Sequence, residues 1–211
     1  MKKSKKFLIA VLMVAVIAVC SFTPTFSWLS SKSDRVVNTF AGDAISIVLD
    51  EAPVDTNGHR IEGARVNTNS YKYVAGSKLD KDPRATVLKG SEPCHVFLCV
   101  DNELNEKFSL NIDIKSWREV QKSGTKTLYV HVDTVEPTLT EDAVLEPIFT
   151  QVSVFEDLTA EDIEKLGEKT ISVTAYAVQK ESMTEKGAIE LAVAEFMPEL
   201  SQDSETTTKK A

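Results

Sequence analysis

Two patterns of apolar residues divide this 211-residue chain. Phe7 to Cys20 runs for 14 residues without a polar side chain, and Lys2, Lys3, Lys5 and Lys6 precede it. After residue 43 the apolar positions alternate with polar ones, the period of half-buried strands. Ala44–Asp50 predicts a strand with Ile45, Ile47 and Leu49 on one face. Tyr71–Val74 and Arg84–Leu88 predict two short ones. Cys94–Val100 is the most apolar run of this region, with Cys94, Val96, Leu98 and Val100 on one face and His95, Phe97 and Cys99 on the other. Both faces are mainly apolar, which predicts a central strand. Phe108–Ile114 alternates with Phe108, Leu110, Ile112 and Ile114 inward, and Thr127–Asp133 with Leu128, Val130 and Val132 inward. Ile148–Phe155 and Thr170–Val178 add two more.

Breakers separate these runs. Asp55-Thr-Asn-Gly58 is a turn signal inside a loop over Glu51–Arg65, because Asn and Gly tolerate positive φ. A calcium-loop reading of it fails, since Pro53 would occupy the first loop position and Ala64 the twelfth, where an acid is required. Lys81-Asp-Pro83 and Gly90-Ser-Glu-Pro93 are further breaks, and Gln121–Gly124 reads as a loop. Two helices follow: Leu158–Leu166, with Thr159 as cap and Gly167 as stop, and Thr184–Leu200, with Ile189, Val193, Phe196 and Met197 at helical spacing. About eight strands with turns between them predict a mainly β chain, a β-sandwich or jelly roll with two short peripheral helices.

The amino-terminal run changes the picture from fold to address. A cationic start, a short apolar stretch and the small residues Thr25 and Ser27 match the three regions of a secretory signal peptide, with cleavage between Ser27 and Trp28. The alternative is an uncleaved anchor, but 14 apolar residues fall short of the roughly 20 that span a bilayer. The expected organisation is therefore 1–27 signal peptide, 28–43 flexible arm, 44–200 sandwich domain and 201–211 disordered tail. Cleavage removes four lysines and no acid, which takes the formal charge from −8 to −12. So acidic a chain is an unsuitable partner for nucleic acid or an anionic membrane surface.

Of three cysteines, Cys20 lies in the signal segment, where Val19 precedes it instead of the small residue of a lipidation site. Cys94 and Cys99 are five positions apart in one strand, with α-carbons on the order of 17 Å apart, beyond disulfide reach. Two buried free thiols are expected.

Several features of the chain resemble the TasA/camelysin-like proteins, secreted by Gram-positive bacteria through signal peptides processed by a SipW-type peptidase. The carrying residues are the lysine-rich start, the apolar run, Thr25-Phe-Ser-Trp28, Asn38-Thr-Phe-Ala-Gly42 leading into Ile45 and Leu49, Tyr71-Lys-Tyr-Val-Ala-Gly76, Lys81-Asp-Pro83 and Val173-Thr-Ala-Tyr-Ala-Val-Gln179. Thr23-Pro24 and Leu29 depart from the family's usual residues around the cleavage region. The resemblance implies a jelly-roll or immunoglobulin-like β-sandwich and an extracellular or envelope role, with matrix fibres and proteases among relatives.

The candidate chemistry is sparse. His59, His95 and His131 show no helical ligand spacing, and no His-Glu-x-x-His occurs. His131 and Asp133 share a strand face and lack a third ligand, so a solvated polar face is the favoured reading. Cys94 or Cys99 with His95 lacks the electropositive setting of a thiol nucleophile. The acids Glu156, Asp157, Glu161, Asp162 and Glu164 read as a helix start, where they complement the dipole. No catalytic residue, metal site or cofactor is expected. What remains is assembly: cleavage frees an arm in which Val36, Val37 and Phe40 can add to a neighbouring subunit's sheet, with the peptidase and further copies of the chain as partners. A monomeric cell-surface binding module is the alternative, and a camelysin-like protease the second alternative.

Overall fold

The computed structural model describes residues 45–200 apart from positions 73, 105, 160, 163–168 and 182. The Ser27–Trp28 junction, the arm residues Val36, Val37 and Phe40, the tail from Ser201 and the Gly167 helix stop lie outside the described residues.

Among the described residues, ten strands and one well-defined helix follow in the order β1 (Ile47–Asp50), β2 (Lys78–Asp80), β3 (Arg84–Val87), β4 (Cys94–Asn102), β5 (Phe108–Leu110), β6 (Trp117–Ser123), β7 (Lys126–His131), β8 (Ala143–Val144), β9 (Gln151–Val154), β10 (Ile171–Gln179) and α1 (Glu185–Phe196). They form antiparallel sheets of order β1-β3-β8, β2-β9-β5 and β10-β4-β7-β6. The first two are halves of one bent layer. Leu79 faces Val152 and Thr86 faces Val144 in nearly continuous register. Lys81 N–H donates to Thr150 O (3.1 Å), Ile148 N–H to Pro83 O (3.2 Å) and Leu145 N–H to Ala85 O (3.0 Å) across the gap. The regular ladder breaks where Pro83 and Pro147 lack an N–H to give.

This bent layer packs on the four-stranded sheet, which gives the β-sandwich. Ile47, Leu79, Val87, Phe149 and Val152 meet Cys94, Val96, Leu98, Val100 and Ala175 in the main core. The opposite face of the four-stranded sheet is also covered. Phe97, Cys99, Leu128, Val130 and Val178 pack under Ala188, Ala192 and Met197 of the α1 segment. Thr184 caps α1 by accepting from Gly187 N–H (3.3 Å). Lys126 Nζ donates to Phe196 O (3.2 Å), a cation satisfying a carbonyl at the helix C-terminus. No helix among the described residues is long and apolar enough to cross a membrane.

The central-strand expectation for Cys94–Val100 holds, and so do the Thr184 cap and the helical face of Ile189, Val193, Phe196 and Met197. The Leu158–Leu166 helix is described only at Glu161 and Asp162. Thr159 and Asp162 form a reciprocal capping box there: Thr159 N–H donates to Asp162 Oδ2 (2.9 Å) and Asp162 N–H to Thr159 Oγ1 (3.2 Å).

Four expectations are corrected. Tyr71, Lys72 and Val74 are not in a strand; Tyr71 is instead anchored by its hydroxyl, which donates to Asp80 O (3.0 Å). β5 stops at Leu110, and Ile114 is 81% exposed, because Asp113 turns the chain by accepting from Lys115 N–H (3.1 Å) at Oδ1 and from Trp117 N–H (3.0 Å) at its carbonyl. Gln121–Ser123 belong to β6, and the loop is only the two-residue turn Gly124-Thr125, with Gly124 at φ 55°. Val132 lies past the end of β7 and is exposed.

Ala188 is fully buried where α1 meets the sheet. Ala188→Leu is expected to lower stability by about 1–3 kcal/mol through overpacking. Leu191→Ala, on the exposed side of α1, is expected to change it far less. Urea unfolding monitored by circular dichroism checks both.

Candidate functional site

The three histidines lie on separate elements. His59 follows the Asp55 turn, His95 is half-buried on β4, and His131 ends β7. Asp55 builds its turn as the sequence predicts: its Oδ1 accepts from Asn57 N–H (2.8 Å) and His59 N–H (2.9 Å), with Gly58 at φ 79°. These bonds, the His59 one foremost, hold the Asp55 carboxyl below its usual range.

The solvated-face reading of His131 is corrected. Its side chain is 9% exposed because Trp117, directly across on β6, stands edge-on to the ring at 5.1 Å. His131 Nδ1 donates to the Asp133 backbone carbonyl (2.9 Å), so His131 meets the main chain of Asp133 and not its carboxylate. No group of three or more His, Cys, Asp or Glu among the described residues could hold a metal ion.

Cys94 and Cys99 are free, buried and on opposite faces of β4, as the strand period requires. Burial pushes the Cys94 thiol up to about 12 and the Cys99 thiol up to about 11. Neither is a thiolate at neutral pH, and the thiolate is the nucleophile. Among the predicted acidic cluster, Asp157 pairs with Lys107 and Asp162 caps its helix, while Glu164 lies outside the described residues.

The polar groups that do converge surround the segment from Asp50 to Val66. Glu51 is 4% exposed, exchanges both main-chain bonds with Val66, and its carboxylate pairs with Lys81 Nζ at 2.6 Å. Lys81 in turn sits 5.6 Å above the Tyr71 ring. Burial, reinforced by the Glu51 charge, drives the ionisation of Tyr71 far above the ordinary tyrosine range. Arg65 holds the segment to the strands beside it. Its guanidinium donates to the Asp50 carboxylate, to Asp82 Oδ2 (3.0 Å), to Asp50 O (3.0 Å) and to Asp82 O (2.8 Å). Asp82 Oδ1 also accepts from Ala52 N–H (2.6 Å).

Beside this network lies a cleft of about 460 Å³ whose lining includes Pro53, Arg60, Ile61, Glu62, Arg65 and Arg84. None of the three arginines stands out in the sequence. They are separated along the chain and follow no strand or helix period, and only the β1–β3 pairing that sets Arg84 opposite Asp50 brings them together. Comparison of the chain with family models, with curated proteins and with solved structures finds no match.

Breaking the Glu51–Lys81 pair leaves a buried carboxylate without its cation. Lys81→Met is expected to cost about 3–5 kcal/mol in urea unfolding, and adding Glu51→Gln in the same chain is expected to restore much of it. The thiols have a pH signature. Their folded values lie above the ordinary 9.0, so their contribution to stability is complete below pH 9 and is lost as pH rises toward 11 to 12. The urea midpoint is expected to fall between about pH 8 and about pH 10.5, and less steeply once both cysteines are alanine. Tyr71, Tyr129 and Tyr176, raised in the same direction, account for the slope that persists.

Proposed function

We propose that this chain is a secreted structural subunit of the cell envelope or extracellular matrix, assembled through its amino-terminal arm. In this reading residues 1–27 direct export, a SipW-type peptidase cuts between Ser27 and Trp28, and residues 28–43 become the arm. The observation that carries it is the position of β1. It forms the margin of its sheet, in the order β1-β3-β8, and the arm immediately precedes it in the chain. Among the described residues β1 has a strand partner on one side only, β3, and a segment that leads into a marginal strand is suited to strand addition between copies. Val36, Val37 and Phe40 supply side chains for the pockets of the accepting sheet. A head-to-tail contact of this kind that does not close makes a filament.

β6 supports the same reading from the other side. It too is a sheet margin, but it carries a bulge between Glu119 and Gln121 and the charged residues Arg118, Glu119 and Lys122. Those are the devices that discourage unplanned edge pairing. The reading assigns no catalytic role, in keeping with buried, protonated thiols and histidines on separate elements. An uncleaved chain would stay membrane-anchored by residues 7–20.

Protein recovered from culture medium is expected to have an intact mass beginning at Trp28 and to form filaments visible by negative-stain microscopy. Deleting Trp28–Val37 is expected to leave a folded monomer. Filaments that persist without the arm would sink the mechanism, and a mass that includes residues 1–27 would sink the cleavage.

A further inference from the structure

The cleft beside the Asp50–Val66 segment is lined by one guanidinium, that of Arg84, which pairs with no acid among the described residues. Arg84 opens β3 directly across from Asp50, yet Asp50 is engaged by Arg65. Asp82 is shared between Arg65 (3.0 Å) and Arg60 (3.6 Å). Arg84 makes no ion pair among the described residues, and its Nε is buried without a hydrogen-bond partner. Nε is enclosed by the protein and closed to a ligand, so only the terminal nitrogens of this guanidinium can meet one at the cleft.

We infer that this cleft binds the carboxylate of an acidic ligand, with Arg84 as the main partner and Arg60 as the second. Size, charge and wall chemistry agree. About 460 Å³ lies within the range of small-ligand sites. The planar guanidinium fork suits a carboxylate. The cleft presents Arg60, Arg65 and Arg84 against Glu62 at its lining with Asp50 and Asp82 beside them, and these acids repel a doubly charged phosphate more than a singly charged carboxylate. Pro53 and Ile61 give an apolar wall for the ligand's carbon skeleton. The carboxylate could belong to a free organic acid or to an acidic side chain of a polypeptide. The inference is independent of assembly through the arm.

The test is isothermal titration calorimetry of the secreted chain at constant ionic strength. The probes are N-acetylvaline, the peptide acetyl-Gly-Glu-Gly-amide and inorganic phosphate. At least one carboxylate probe is expected to saturate at a single site, more tightly than phosphate. The tighter of the two identifies the source, free acid or polypeptide. Arg84→Gln is expected to weaken binding at least about tenfold, and Arg84→Lys less, because charge remains while the fork is lost. Arg60→Gln and Ile61→Asp change exposed positions and are also expected to weaken it, which keeps the test decisive if Arg84→Gln does not fold. Absence of saturation by both carboxylate probes, tighter binding of phosphate, or unchanged affinity across the folded variants would overturn the inference.

Discussion

A strand with apolar side chains on both faces has to be covered twice, and β4 imposes that condition on the whole domain. It is paired along both edges, with β10 on one side and β7 on the other. Its even-numbered residues from Cys94 to Val100 point into the sandwich, while Phe97 and Cys99 point the other way. Burying a side chain such as Phe97 or Leu98 is worth roughly 1.5–3 kcal/mol, a gain realised only where a second surface arrives to exclude water. The bent layer of β1, β2, β3, β5, β8 and β9 is that surface on one side, and α1 on the other. Helix packing here depends on small residues. Ala188 and Ala192, one turn apart, let the helix backbone come close, and Tyr176 closes the flank against Phe97 and Phe196.

Double coverage limits where the domain can meet another molecule. Over β4 and β7 the four-stranded sheet is covered on both faces. The outward side of the bent layer carries Lys78, Thr86, Ser109 and Ser153 along its strands, the polar face of a solvated sheet, with Arg84 at the cleft beside it. Contacts therefore have to use margins and loops. Of the margins, β6 is bulged and charged, and Arg118 is committed to Glu185. β1 and β10 are margins without a bulge; β10 carries no charge, and the one charge of β1, Asp50, is taken up by Arg65.

Much of this was legible along the chain, for reasons that also mark where legibility stopped. The dual-faced β4, the Asp55 turn and the Thr184 cap are local patterns, set by residues a few positions apart. β6 escaped because only Trp117 of its seven residues is fully buried, so it reads as polar loop. β2 and β8 escaped because three and two residues cannot display an alternation. His131 was misplaced for a subtler reason. Alternation in β7 set Leu128 and Val130 inward and implied solvent for the other face, but that face is the sandwich core, where Tyr129 is buried and Trp117 stands over His131. One strand's period reports a buried face; it does not report whether the second face is covered as well.

The arginine cleft was illegible for a different reason, since its parts meet only through long-range pairing. The segment after β1 lacks regular strand structure apart from isolated bridges such as Glu51 with Val66 and Val54 with Arg60. It is held instead by ions: Arg65 between Asp50 and Asp82, and Glu51 against Lys81. Ion pairs taken out of water add little net stability over well-packed apolar groups, because desolvation opposes the attraction. What such a network does fix is geometry, through directional bonds to both side chains and main chain. Arg65 alone reaches two carboxylates and two carbonyls. A loop fixed in this way presents Arg60 and Ile61 in set positions beside Arg84, so a ligand need not order the segment in order to bind. The polar interior of this region is thus better explained as preorganisation of the cleft than as a source of fold stability, which β4 and its two coverings already supply.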